Sequence, residues 1–203
     1  MTVLEIMTGS SLAAAAGMNA YIPLLLVGLA NRLLPQVLTL PEGWAWLSNG
    51  WVLAIIGVLL LIEVIADKIP AVDSINDILQ TVVRPASGGL VFGSSSGATT
   101  VAVQDPAAFF ASNQWVPIVI GVVIALGVHG VKATARPVAN TVTAGAAAPA
   151  LSTAEDVGAV ILTVLAIVLP VLALLCAAAA MVFAVVAVRR RRRARRLQRM
   201  GQS

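Results

Sequence analysis

Charge is scarce in this chain. Only 11% of its 203 residues are Asp, Glu, Lys or Arg, against about 25% in an ordinary soluble domain. Apolar residues make up 59% and the mean hydropathy is +0.95. That composition excludes a soluble globular domain and sets the class as an integral membrane protein. A single membrane domain suits the length. Cysteine occurs once, at Cys176, so there is no internal disulfide, and its apolar neighbours offer no metal ligands. Histidine occurs once, at His129. No Walker loop, dinucleotide fingerprint, HExxH or Gly-x-Ser-x-Gly is present, so none of the enzyme classes those motifs mark is supported and no cofactor is expected. No Lys or Arg precedes Arg32. A secretory signal opens on basic residues, so the first apolar stretch is expected to remain as a membrane helix.

The charges that are present are unevenly placed. Eight of the thirteen basic residues follow Val188: Arg189, Arg190, Arg191, Arg192, Arg193, Arg195, Arg196 and Arg199. Residues 1–188 therefore hold five basic residues against nine acids. The reading is a mildly acidic membrane domain over 1–188 and a disordered basic tail over 189–203. The tail suits anionic lipid headgroups, at about 1 kcal/mol per charge near the surface. Nucleic acid is not expected, because no aromatic or fold motif accompanies the charge.

Apolar runs near 11–34, 46–66, 86–103, 115–131 and 157–188 give an all-α polytopic bundle of about five membrane segments. Between the second and third, Asp73, Asp77, Gln80 and Arg84 share one helical face, with Val72, Ile75, Leu79 and Val82 opposite. This reads as an amphipathic helix at the interface or packed on the bundle, bounded by Pro70 and Pro85. Ser74 with Asp77 and Ser152 with Glu155 fit capping boxes. Ser48-Asn49-Gly50-Trp51-Val52 matches Ser112-Asn113-Gln114-Trp115-Val116 at an offset of 64 residues, and Lys68 matches Lys132 in the same frame. We read this as a duplicated two-helix unit, parallel or inverted, as transporter folds use.

Four carboxylates, Glu63, Asp67, Asp73 and Asp77, fall within fifteen residues. Glu63 ends a long apolar run, where an ionised group is expensive and marks a functional candidate. Glu63 and Asp67 are four apart and share a helix face. Carboxylates at that depth can carry protons or coordinate a cation. Lys68 and the Arg84-Pro85 and Arg136-Pro137 pairs flank the acids. The arginines suit either an anionic ligand or, more simply, ion pairs to the nearby aspartates. Gly17 and Pro23 interrupt the first run around Asn19 and Tyr21, a break that either exposes backbone groups to a substrate or is satisfied by neighbouring helices. His129 lies one turn before Lys132 and offers a proton relay to Glu63, although an interfacial histidine at a helix end is the simpler reading.

The orientation signals conflict. The arginine tail places the C-terminus in the cytoplasm. A single crossing by the last stretch then puts Lys68, Arg84, Lys132 and Arg136 outside. A hairpin at Pro170 would put them inside, but its arms, about 15 residues each, are short for a span. One long kinked helix is the expectation.

The markers Gly17-Met18-Asn19-Ala20-Tyr21-Ile22-Pro23-Leu24-Leu25, Glu63-Val64-Ile65-Ala66-Asp67-Lys68-Ile69-Pro70-Ala71-Val72-Asp73-Ser74, Ala135-Arg136-Pro137-Val138-Ala139-Asn140 and Ser152-Thr153-Ala154-Glu155-Asp156 carry a resemblance. Together with Asp77 and Arg84-Pro85, they resemble a bacterial inner-membrane family catalogued as domain of unknown function 4126. The resemblance covers nearly everything before the tail. It implies a small multi-helix protein of the bacterial inner membrane and supplies no activity or catalytic residues.

Three functions compete at this stage. The first is a small transporter or channel, with room for a homo-oligomer. Its proton or cation site would lie at Glu63 and Asp67, near Asn19, Tyr21, Lys68 and Arg84. The second is a non-catalytic membrane scaffold or regulator. The third in rank is a metal-dependent lipid enzyme using Asp73 and Asp77, since an acid cluster can hold Mg²⁺ against a lipid phosphate; on balance the chain is not expected to be an enzyme.

Overall fold

The computed structural model describes residues 1–97, 113–143 and 148–200, with side chains described except at 70–75, 77, 135–142, 188 and 191–200. Among these residues every regular element is helical: α1 (Val3–Met18), α2 (Tyr21–Leu33), a 3₁₀ helix (Glu42–Ser48), α3 (Gly50–Ala66), α4 (Pro70–Ser95), α5 (Trp115–Thr143), α6 (Ala148–Val168) and α7 (Pro170–Met200). Trp115–Thr134, Ala148–Val168 and Pro170–Ala187 are each long and apolar enough to cross a membrane. The 3₁₀ helix and α3, bent by 57°, make a fourth span if taken together. The protein is a helical membrane bundle.

Local signals set several boundaries. Thr2 and Glu5 form a reciprocal capping box that starts α1. The Asn49 side chain accepts from the Trp51 amide and starts α3. Pro70 opens α4 at the first turn, where its missing N–H costs nothing.

Helix α1 runs through the centre and packs on α4, α5, α6 and α7. Its contact face is mostly alanine, with Ala13, Ala15 and Ala16 fully buried. Small residues let backbones approach closely, which is how membrane helices gain packing energy without a hydrophobic drive. The tightest crossing joins α4 to α5. A Cβ added to Gly88 would lie 2.7 Å from the Gly121 carbonyl oxygen, and one added to Gly121 would meet the Gly88 carbonyl.

Helix α4 reverses the usual amphipathic order. Gln80, Arg84 and Ser87 are buried, whereas Ile78, Leu79 and Val82 are exposed on the outer surface. The polar face looks into the bundle and the apolar face looks out, as lipid demands. The segment is packed on the bundle, one of its two readings, and Pro85 does not end it. One 26-residue helix carries both the amphipathic stretch and the first part of the Gly/Ser-rich one. The proline ring sits inside the helix and interrupts one backbone bond without breaking the rod. Residues 98–103 of the expected third segment lie outside the described residues.

Three further expectations are corrected. Ser74 and Ser152 are inside helices rather than at their starts, because α4 begins at Pro70 and α6 at Ala148. Neither can cap. The last apolar stretch is two helices, not one. The backbone breaks at Leu169, where Pro170 has no N–H to continue the ladder. Residues 155–165 of α6 and 176–184 of α7, at similar distances from the break, line one cavity. The two arms thus fold back beside each other. They are 21 and 18 residues in their apolar parts, because α6 starts earlier than the apolar run that marks it. Finally, α7 stays helical through Met200, where disorder was expected; arginine is a good helix former.

Candidate functional site

The cluster is assembled from four helices, α3 to α6, and the break between α1 and α2. Glu63 is the one charged residue within the span of α3, and it faces inward while Ile62 and Ile65 face out. Asp67 caps the C-terminal end of α3. Arg84 comes from mid-α4, His129 and Lys132 from α5, and Glu155 and Asp156 from α6. All but the last two are buried.

The charges alternate along a ladder. Arg84 Nη2 donates to Glu63 Oε1 at 2.9 Å and lies 3.8 Å from Asp67 Oδ2. Lys132 Nζ lies 3.6 Å from that same Asp67 oxygen and 2.7 Å from Glu155 Oε2. The order is Glu63, Arg84, Asp67, Lys132, Glu155: minus, plus, minus, plus, minus. The end carboxylates hold their cations closely, and Asp67 stands farther from both. Asp67 Oδ1 instead accepts from Asn76 Nδ2 at 2.6 Å. Lys68, at the surface, is 4.0 Å from Asp156.

His129 meets the ladder through Arg84. Its Nδ1 lies 3.2 Å from Arg84 Nη1 and its Nε2 lies 3.1 Å from Thr81 Oγ1. A guanidinium only donates, so Nδ1 must present a lone pair. The ring is then neutral with its proton on Nε2, toward Thr81. His129 is buried inside the bundle rather than interfacial, and the Arg84 guanidinium stands between it and Glu63.

The α1–α2 break has its polar groups satisfied by neighbours. Asn19 Oδ1 accepts from the Tyr21 and Ile22 amides, and Asn19 Nδ2 donates to Asp156 Oδ1 at 2.9 Å. The Met18 carbonyl accepts from Lys132 and the Ala20 carbonyl from Ser87. The break thus anchors the cluster rather than offering open backbone. Tyr21 opens α2 directly after the break.

Two acceptors in the region are buried without a hydrogen-bond partner among the described residues, Glu63 Oε2 and Gln80 Oε1. Arg84 Nε is a buried donor in the same state.

The structure thus brings together Glu63, Asp67, Arg84, His129 and Asn19, with Lys68 and Tyr21 at the margin. Asp73, Asp77 and Arg136 lie on α4 and α5, but their side chains are outside the described residues. Among the described residues no group of three His, Cys, Asp or Glu side chains is disposed to hold a metal. Arg189 and Arg190 are exposed on α7; the other tail arginines have no described side chains. Sequence reading left Lys132, Glu155, Asp156, Thr81 and Asn76 out of the site. The position of Lys132 opposite Lys68 in the repeat was a signal for the first; Glu155 was absorbed by its apparent capping role.

The family model described as Domain of unknown function (DUF4126) matches residues 6–190. The helical bundle defines a class of membrane protein, and a match over most of the chain shows that it belongs to the DUF4126 family. No curated protein and no solved structure matches it.

Proposed function

We propose that the protein is a small transporter of the bacterial inner membrane, with a proton or cation site at Glu63 and Asp67. The supporting observation is a buried carboxylate, Glu63, with one oxygen that no described residue meets. Among the described side chains four carboxylates (Glu63, Asp67, Glu155, Asp156) face three cations (Lys68, Arg84, Lys132). Glu63 Oε2, buried and without a partner among the described residues, is the natural place for a proton, since an unmet buried acceptor costs about 1–3 kcal/mol.

The ladder gives such a proton a way to act at a distance. Protonating Glu63 weakens its hold on Arg84, which moves toward Asp67. Asp67 then releases Lys132 toward Glu155. A charge arriving at one end is felt at the other by short shifts of two cations. The cytoplasmic C-terminus, the contact of the tail with anionic lipid and assembly into a homo-oligomer belong to the same proposal.

The test is proton and cation flux in liposomes holding purified protein, wild type beside Glu63→Gln. Flux that needs Glu63, from protein equally well inserted, supports the reading. Equal flux in the variant removes Glu63 from the pathway. No flux from inserted wild type under any gradient favours the scaffold.

A further inference from the structure

Three atoms of the buried layer make no hydrogen bond among the described residues: Glu63 Oε2, Gln80 Oε1 and Arg84 Nε. Their residues are 2%, 2% and 0% exposed, so neither solvent nor a lipid headgroup meets them from outside. Gln80 stands one turn before Arg84 on the inward face of α4. Arg84 in turn holds Glu63 at 2.9 Å. The Tyr21 phenol on α2 lies within interaction distance of Glu63, Gln80 and Arg84 alike. The unmet carboxylate oxygen and the unmet amide oxygen therefore belong to one layer.

Two buried acceptors without donors are two separate costs. One proton removes both. Bound to Glu63 Oε2, it makes that oxygen a donor and gives Gln80 Oε1 a bond to accept. A metal cation fits less well. It asks for about six oxygens, and the layer offers two unmet ones. Among the described residues no three His, Cys, Asp or Glu side chains converge to complete such a shell. A metal cation would also stand beside the Arg84 guanidinium, which repels it. An anion meets Arg84 Nε but is repelled by Glu63.

We infer that the ion bound at this site is a proton and that Gln80 holds it there, the acid form of Glu63 donating from Oε2 to Gln80 Oε1. The inference rests on the transport reading above and chooses between its two ions. Binding makes one O–H bond on Glu63 with a proton from water, release breaks it, and no electron moves. Gln80 never carries the proton and is a positioning residue. The groups facing Glu63 are Asp67 on α3, Arg84 on α4, Lys132 on α5 and Tyr21 on α2, with His129 behind Arg84. Arg84 and Lys132 favour the carboxylate, and Asp67 favours the acid. Gln80 Oε1 accepts only from the acid. Arg84 and Gln80, one turn apart, thus pull Glu63 in opposite directions, which lets the site both take and release its proton.

The test is infrared titration of the full chain in nanodiscs, following the carboxylic acid C=O band. The band that disappears in Glu63→Gln is the Glu63 acid. Gln80→Met keeps the side-chain length and loses the acceptor. In that variant the band should rise in frequency and should need about ten-fold more protons to appear, the worth of one buried hydrogen bond. Sodium or potassium should leave the wild-type titration unchanged. No Glu63 acid in folded wild type at any pH, an unmoved band in folded Gln80→Met, or a larger shift in Tyr21→Phe overturns the inference. So does displacement of the wild-type proton by sodium or potassium, a readout that needs no variant to fold. The flux assay separates the two readings. A Gln80-dependent Glu63 acid without Glu63-dependent flux keeps the proton site and rejects transport. Glu63-dependent flux with a band indifferent to Gln80 does the reverse.

Discussion

Arg84 donates to Glu63 at 2.9 Å, and the two side chains are 0% and 1% exposed. Each comes from a helix whose outer face is apolar, α3 for the acid and α4 for the base. Neither charge is tolerable at that depth alone. The pair ties α3 to the bundle and also leaves one Glu63 oxygen without a partner among the described residues.

Removing one member of this pair should cost far more than removing both charges. Arg84→Met strands Glu63 and should lower stability by about 3–5 kcal/mol. Adding Glu63→Gln to it should recover part of that loss. Denaturant unfolding of the two single variants and the double variant gives the coupling directly. Strictly additive losses would show that the two groups do not act as a pair.

His129 is the sole histidine, so its tautomer can be read without assignment. The geometry with Arg84 requires a bare Nδ1 and a protonated Nε2. Nitrogen-15 spectra of ring-labelled protein in nanodiscs near neutral pH should report that neutral form. An imidazolium signature would contradict the Arg84 contact.

The α4–α5 crossing depends on the absence of two side chains. Gly121→Val places carbon against the Gly88 carbonyl, and backbone cannot step aside as a flexible side chain can. The cost should be at least about 1–3 kcal/mol, the usual range for overpacking. Gly57→Val is the control, since a Cβ there meets nothing within 4 Å. Equal melting temperatures for the two variants would refute the close crossing.

The folded-back α6 and α7 place the start of the arginine helix on the side of the bundle where Lys132 and Glu155 lie, because Ala184 lines the same cavity as both. Arg189 follows Ala184 by about 7.5 Å along the helix. Introduced as single cysteines with Cys176→Ser, Lys68→Cys and Arg189→Cys should therefore label from the same side of sealed vesicles. Labelling from opposite sides would restore a single crossing by the last stretch. Same-side labelling also removes the conflict in the positive-charge bias.

Much of the site was legible because charge in an apolar chain is conspicuous. Glu63, Asp67 and Arg84 stand out by composition alone, and an ion pair among them is the simplest way to bury them. Glu155 and Asp156 were hidden by a serine three residues upstream of the first. Ser152 looks like a cap only if the helix starts there, and apolar periodicity does not fix a start to within a turn. Where α4 side chains are described, Gln80 and Arg84 share one face and Leu79 and Val82 the other, but which face turned inward was open. Hydrophobic patterning gives two faces and does not say whether water or lipid lies outside.

The sequence by itself determined the class of the protein, its helical elements and the residues whose burial must be compensated. These follow from local quantities: hydropathy, helical period and the cost of isolated charge. Only the tertiary structure decided which charges pair, that Pro170 folds the chain back rather than bending it, and that Lys132 and Glu155 share a cavity. Those outcomes depend on how closely helices approach, at Gly88 and Gly121 above all. Close approach is a property of two surfaces meeting, and neither surface alone contains it.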